Sequence, residues 1–302
     1  VRGGPTDDGT GPVLVTGASG KTGRHVVAGL RAEGAAFRTA GRTAPPGGAV
    51  EGSTGHVRFD WADPGTYRPA LAGVTRVYLV APVGVLDPAP QIEEFLSVGR
   101  ELGLRRAVFL SSDVTPSQAP GLDRAREAVR GMPEWAVLRP SWFMQNLIDP
   151  YHHMGVALRE RDELPSATAG RGIGLVDAAD IAAVAVRALL DERASRETNR
   201  EYVITGPEVL TYDEVAARIG TLLDGGRRIR HVRLSPVELA RHMTASGVPP
   251  EFARMLAEVE EQIAAGVEER VTSTVAEVTG HPARTFRDFV RGHRERFARA
   301  GR

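Results

Sequence analysis

Three glycines, Gly17, Gly20 and Gly23, stand at G-x-x-G-x-x-G spacing within VLVTGASGKTGR, residues 13–24. This spacing suits phosphate chemistry. One glycine permits a positive φ in a tight turn, one lets a pyrophosphate approach the backbone, and one lets a helix pack closely on its strand. The free N–H groups and the dipole at the start of that helix favour the anion. Thr16, Ser19, Lys21 and Thr22 share the loop and are candidate contacts to the same ligand. A tight strand–helix turn without a ligand would use the same glycines. The context favours a dinucleotide, because apolar residues precede the turn and the amphipathic RHVVAGLRAEG follows it.

The residues after the next strand bear on which dinucleotide. A fold that reads the free 2′-hydroxyl of NAD places a carboxylate about 20 residues beyond the glycine loop. Here that position holds Arg42, with Arg38 on the same face of the strand, and no acid lies between Glu33 and Glu51. A guanidinium there can hold a 2′-phosphate that a carboxylate would repel, so NADP(H) is expected as the cofactor. The alternative is that both arginines are simply solvated. Asp60 and Trp61, closing HVRFDW, are expected beside the adenine. Val80, Ala81 and Pro82, Ser111, and Pro140 end later strands and are further candidate cofactor contacts.

A regular alternation of elements would position these residues. VLVTG, AFRTAG, HVRFDW, RVYLVAP, AVFLSS and WAVLRP read as short buried strands, and amphipathic helical stretches separate them. The pattern predicts an α/β fold, a Rossmann-type doubly wound parallel sheet with a smaller, mostly helical C-terminal substrate-binding domain. Residues 1–11 read as a disordered tail and 12–150 as the NADP(H)-binding domain, with a returning strand near 201–205. Residues 151–302 are expected to form mainly a substrate-binding cap interleaved with that core. Asp177 and Thr211 read as helix N-caps.

Composition sets further bounds. The 302 residues carry no formal net charge, which argues against partners held by simple electrostatics such as nucleic acid or a membrane surface. The absence of cysteine excludes disulfides, thiol nucleophiles and cysteine metal sites, and no histidine–carboxylate pattern suggests a metal. No apolar run approaches the ~20 residues of a membrane span and no signal-peptide pattern is present, so a cytoplasmic location is expected. The amphipathic run from Glu251 to Glu269 suits either internal packing or a homodimer.

The motifs VTGASGKTGR, VRFDW, VYLVAP, FLSS, LRPSWFMQN, VDAADIAAVA, TGPEVLTYDEVA and VTGHPARTF follow one another along the chain. In this order they resemble the NmrA-like atypical short-chain dehydrogenase/reductases, most closely the agroclavine dehydrogenase-like enzymes of ergot alkaloid pathways and their bacterial relatives. The resemblance runs from Pro12 to about His293. It implies an NADP(H)-binding Rossmann domain and a C-terminal domain enclosing a substrate cleft. It leaves the reaction open, since the group includes reductases, quinone oxidoreductases and sensors without catalysis.

Short-chain dehydrogenases ordinarily use Tyr-x-x-x-Lys as their acid pair. Lys21 is the only lysine in the chain and belongs to the glycine loop, so this pair cannot exist here. An iminium carbon or a quinone accepts hydride without that acid, whereas an unactivated ketone needs a proton on its developing alkoxide. The expected function is therefore NADPH-dependent reduction of an imine, iminium or quinone-like small molecule, in bacterial secondary metabolism. The alternatives are a cofactor-sensing regulator that binds a protein, or a non-redox enzyme that retains the nucleotide. Ser112, Tyr151 and His152 are the candidate catalytic residues, the histidine as a proton shuttle or as part of an incidental surface pair with His153. Trp142, Phe143, Met144, Asn146 and His153 are candidate substrate contacts; core packing at helical spacing is the alternative for Trp142, Phe143 and Met144, and the better fit for Phe143.

Overall fold

Runs such as VLV, VYLV and AVFL have no polar face and are stable as strands only when covered on both sides, as in a parallel sheet. The computed structural model describes residues 11–44, 50–114, 121–191, 199–223 and 227–298. Its first half alternates as expected: β1 (Val13–Thr16), α1 (Gly23–Ala32), β2 (Phe37–Gly41), β3 (Ser53–Arg58), α2 (Tyr67–Leu71), β4 (Arg76–Val80), α3 (Ala89–Glu101), β5 (Arg106–Leu110), α4 (Gly121–Arg130) and β6 (Glu134–Pro140). The chain continues through α5 (His153–Arg161), β7 (Glu163–Ser166), α6 (Ala178–Leu190), β8 (Arg200–Ile204), α7 (Tyr212–Leu222) and β9 (Arg230–Arg233). It ends in α8 (Pro236–Ala245), α9 (Pro250–Ala264), α10 (Thr274–Thr279) and α11 (Phe286–Gly292).

Seven strands form one sheet in the order β3-β2-β1-β4-β5-β6-β8, and every pairing is parallel. The strand order reverses between β1 and β4, the point at which such sheets open a ligand crevice at their carboxyl edge. The returning strand, β8, runs beside β6. One face of the sheet is covered by α1 and α6, through Val26, Leu30, Ile181, Val184 and Ala185. Gly29 lets these helices approach, since a Cβ there would lie 2.8 Å from Val186 Cγ2. The other face packs Leu14, Val77, Leu79 and Phe109 against Tyr67, Ile92 and Phe95.

The helix starts follow their side chains. Asp177 accepts a hydrogen bond from the Ala179 N–H at 2.8 Å, and Thr211 with Glu214 forms a reciprocal capping box on α7. Two features differ from the expectation. β3 ends at Arg58, so Asp60 and Trp61 lie in the turn that follows it. β7 and β9 pair as a separate two-stranded parallel sheet, built from ELPS and RHVR, which carry no apolar run. Of the expected tail, residues 1–10 lie outside the described residues. Gly11 is already packed, because a Cβ there would fall 2.1 Å from the Gly73 carbonyl oxygen.

Candidate active site

β1 delivers the chain into the glycine loop at Gly17, whose φ of +59° is accessible to glycine at no steric cost. The Gly20 N–H closes the turn on the Gly17 carbonyl at 2.9 Å. Gly23 opens α1 directly against that turn, where a Cβ would lie 2.1 Å from the Gly17 oxygen. Gly20 is different: it is exposed, and only the Gly17 oxygen, at 3.1 Å, lies near its missing Cβ. Gly23 is thus required by packing, while Gly20 leaves open space over the helix N-terminus, which is what a pyrophosphate needs.

The two threonines of the loop are structural. Thr16 Oγ1 donates to the Tyr78 carbonyl at 3.0 Å and accepts from the Val80 N–H at 2.9 Å, which locks β1 to β4. Thr22 Oγ1 accepts from the buried Tyr78 hydroxyl at 2.8 Å. Their side chains therefore face the interior and are not available to a cofactor.

Lys21 reaches across from the loop to the segment after β6. Its Nζ donates to Asn146 Oδ1 at 2.8 Å and forms an ion pair with Asp149 Oδ2 at 2.8 Å. Burial alone would push Asp149 up, but the Lys21 hydrogen bond and the Tyr151 N–H hold its carboxyl below the usual carboxylate range. Lys21, Asp149 and Tyr151 edge a cleft of about 270 Å³ lined also by Ser19, Gly20, Arg24 and Arg296. Three cations, Lys21, Arg24 and Arg296, thus line the cleft that includes the start of α1. A larger groove of about 640 Å³ runs between α8 and α9, but it is lined mainly by residues such as Val237, Ala240 and Ala257, and none of the candidate site residues borders it.

The two arginines of the second strand part company. Arg38 donates from NH1 to the Ala70 and Ala72 carbonyls at 3.2 and 2.9 Å, satisfying the end of α2, so that nitrogen is committed to the fold. Arg42 is exposed and has no side-chain partner among the described residues. Asp60 accepts from the Ala62 N–H at 3.0 Å, and Trp61 donates from Nε1 to the Val80 carbonyl at 3.2 Å. Trp61 also packs edge-on against Phe59 and Tyr67, so one side of it belongs to the core. Ala81 and Pro82 are half-buried just beyond β4, and Pro140 is buried at the end of β6, in register with Ile204 of β8.

Beyond β5, Arg126 of α4 donates from Nε to Ser111 Oγ at 2.8 Å and from NH2 to the Ser112 carbonyl. A buried guanidinium thus fixes the serine pair, a role the sequence did not suggest.

The segment after β6 divides into core and cleft. Met144 is fully buried among Leu147, Ile173 and Leu210 and is core, not cleft wall. Gln145 is also structural, donating to Asp177 Oδ1 and accepting from the Ala178 N–H, each at 2.9 Å. Trp142 and Phe143 are half-buried, and Trp142 Nε1 has no hydrogen-bond partner among the described residues.

Tyr151 is 89% exposed on the cleft rim. His152 accepts the Met154 N–H at Nδ1, 3.3 Å away, and so caps α5. Burial, with His153 and Lys21 repelling a second charge, holds its imidazole well below the ordinary value and hence neutral near pH 7. His153 is buried behind it, and burial and the neighbouring His242 lower it to about 3. Neither ring is an imidazolium donor at neutral pH. Asp149, Arg24, Arg126 and Arg296 were not singled out from sequence. Asp149 carried a usable signal, as the first carboxylate after the strand end that faces the loop lysine.

No protein-family model matches the chain. Individual proteins do. The uncharacterized oxidoreductase YesF of Bacillus subtilis (strain 168) is 40% identical over 282 residues, covering 93% of this chain and 95% of that protein. Agroclavine dehydrogenase of Claviceps fusiformis is 36% identical over 287 residues, covering 92% and 96%. Among solved structures, the Escherichia coli NADPH-dependent quinone oxidoreductase complexed with NADPH superposes with a TM-score of 0.76 at 21% identity, over 93% of this chain and 99% of that one, so the fold is shared.

Proposed function

The chain belongs to the agroclavine dehydrogenase branch of the NmrA-like atypical short-chain dehydrogenase/reductases and is an oxidoreductase, and from that premise we propose that it is an NADPH-dependent reductase of an activated small-molecule electrophile, an iminium or a quinone. The observation that carries the reading is the position of Lys21. The only lysine of the chain is engaged by Asn146 and Asp149 beside the glycine loop, so no tyrosine has a lysine to tune it. An electrophile that accepts hydride without an acid pair fits this arrangement.

The residues fit the cofactor. Gly20 leaves room for a pyrophosphate at the start of α1, and Lys21, Arg24 and Arg296 supply cations in the cleft beside it. Arg42, free of other partners among the described residues, would hold the 2′-phosphate that distinguishes NADPH from NADH. When bound, the nicotinamide supplies the hydride. Residues 12–150 with β8 would carry the cofactor, and 151–302 would close over it and present Trp142, Phe143 and Tyr151 toward a flat, apolar substrate.

The test is NADPH oxidation, followed at 340 nm, with a panel of cyclic iminium salts and quinones. Turnover with members of either class is expected. No oxidation above background with any of them would overturn the reading.

A further inference from the structure

The α8–α9 hairpin has an inner and an outer face. Inward, Leu239, Met243 and Ala253 are buried and share one apolar cluster. Outward, the two helices enclose the groove of about 640 Å³, with Ala240 and Ala257 as its buried floor. Val237 stands on the α8 wall and is 60% exposed, a large apolar side chain that the chain's own core does not use. An apolar surface rimmed by charged residues is the usual form of a contact site. The charges on the α9 wall indicate what it contacts.

On α9 the groove is lined by Pro250, Arg254, Ala257 and Glu261, spaced four, three and four residues apart. That is the spacing of a seam along which two helices pack. Arg254 and Glu261 lie one heptad apart, equally far from the midpoint between Ala257 and Glu258. Across a two-fold axis at that midpoint a second α9 runs antiparallel, and residue 254 of each copy faces residue 261 of the other. Both ion pairs then form together, and the small Ala257 lets the helices approach. A parallel pairing would instead oppose Arg254 to its own copy. Arg254's ion pair within the chain, to Glu251, is long at 3.9 Å and joins two largely exposed side chains, so it holds the guanidinium weakly. Glu261 is exposed and has no ion pair among the described residues.

We propose that the outer face of the α8–α9 hairpin is where two copies of this chain associate, as a four-helix bundle about a two-fold axis beside Ala257. The inference stands apart from the reductase reading, because none of the candidate site residues borders the groove.

The test uses the full chain and light scattering after size exclusion across a concentration series, with circular dichroism to confirm the fold of each variant. Wild type should run as a dimer that dissociates on dilution. Arg254→Glu and Glu261→Arg change exposed residues, so both should fold, and each sets like charges across the axis. Each alone should weaken association by about tenfold or more. Mixing the two variants should restore it, because every contact between positions 254 and 261 in the mixed dimer again joins opposite charges. The double variant Arg254→Glu with Glu261→Arg should restore the homodimer likewise. A monomeric wild type at every concentration, a dimer indifferent to both reversals, or no rescue on mixing would overturn the proposal. So would a monomer that binds anilinonaphthalene sulfonate and loses that binding in Val237→Glu, which would assign the groove to a small apolar ligand.

Discussion

Lys21 Nζ stands 2.8 Å from Asp149 Oδ2, so a single ion pair ties the glycine loop to the segment that leaves β6. Both partners are about a quarter exposed, at 31% and 22% of their side-chain surface, and the pair should contribute about 0.5–1 kcal/mol of stability. Asp149 is held below its ordinary value, so this contribution is complete above the unfolded-state carboxylate value and is lost as pH falls through the lowered one. Asp149→Asn should accordingly be less stable than wild type at pH 7, and the difference should close toward pH 2. Urea unfolding at the two pH values checks it.

Arg42→Ala should remove most of the preference for NADPH over NADH. Loss of one charge-assisted contact to a phosphate costs about 1.5–3 kcal/mol, a ten- to hundredfold weakening. Arg38→Ala, by contrast, should leave the preference intact, because that guanidinium serves the end of α2. Titration calorimetry with both cofactors separates the two arginines; equal loss in both variants would contradict the assignment.

The glycines of the loop should fail in different ways. Gly20→Val has little but the Gly17 oxygen near it and should fold yet bind no dinucleotide. Gly23→Ala places a methyl 2.1 Å from the Gly17 oxygen and should lower the melting temperature by several degrees or prevent folding. Thermal melts and cofactor titration of both variants provide the comparison.

Tyr151→Phe, Ser112→Ala and His152→Asn should each reduce iminium turnover by less than tenfold, well short of the ~10²–10⁴ lost with a true general acid. Tyr151 is a rim residue, and His152 is neutral and caps α5, a task asparagine also performs. A single variant that abolished turnover while binding NADPH normally would contradict this.

Glu260 gives a pH dependence of the opposite sign to Asp149. It is fully buried, accepts the Ala167 N–H at 2.6 Å, and burial pushes it up to about 8. Between its ordinary value of 4.5 and about 8 the native state retains a proton that the unfolded chain has released. Stability therefore falls with rising pH across that window, by up to about 1.4 kcal/mol per pH unit from this group. Glu260→Gln should flatten the decline, and its stability relative to wild type should improve from pH 5 to pH 8 in denaturant titrations.

The sheet was legible because its strands are buried on both faces, and continuous apolar runs such as Val77–Val80 and Ala107–Leu110 have no other stable placement. The two-stranded sheet was not, since Glu163–Ser166 and Arg230–Arg233 owe their pairing to contacts far along the chain and not to an internal pattern. The same distinction governs the site. The glycine loop is a local motif and declares itself in sequence. Arg38 and Arg42 look alike there, and only the carbonyls at the end of α2 distinguish them. Glu260 and Glu268 sit in an amphipathic run, EVEEQIAAGVEER, whose pattern does not single out which glutamates are buried, and their burial depends on β7 and on the edge of β6.

The pairing of β8 with β6, and the seating of α6 on α1, have a consequence for synthesis on the ribosome. When residues up to Pro140 have emerged, β1 through β6 can already align, yet Val26, Val27 and Leu30 lack the cover that Ile181, Val184 and Ala185 later provide. A nascent chain paused before α6 presents a bare greasy flank and an open strand edge at β6, the surfaces that chaperones engage and that drive misassembly. Translation through residue 204 is what retires both hazards together, so the vulnerable interval of this protein's biogenesis is set by the length of the excursion between its sixth and eighth strands.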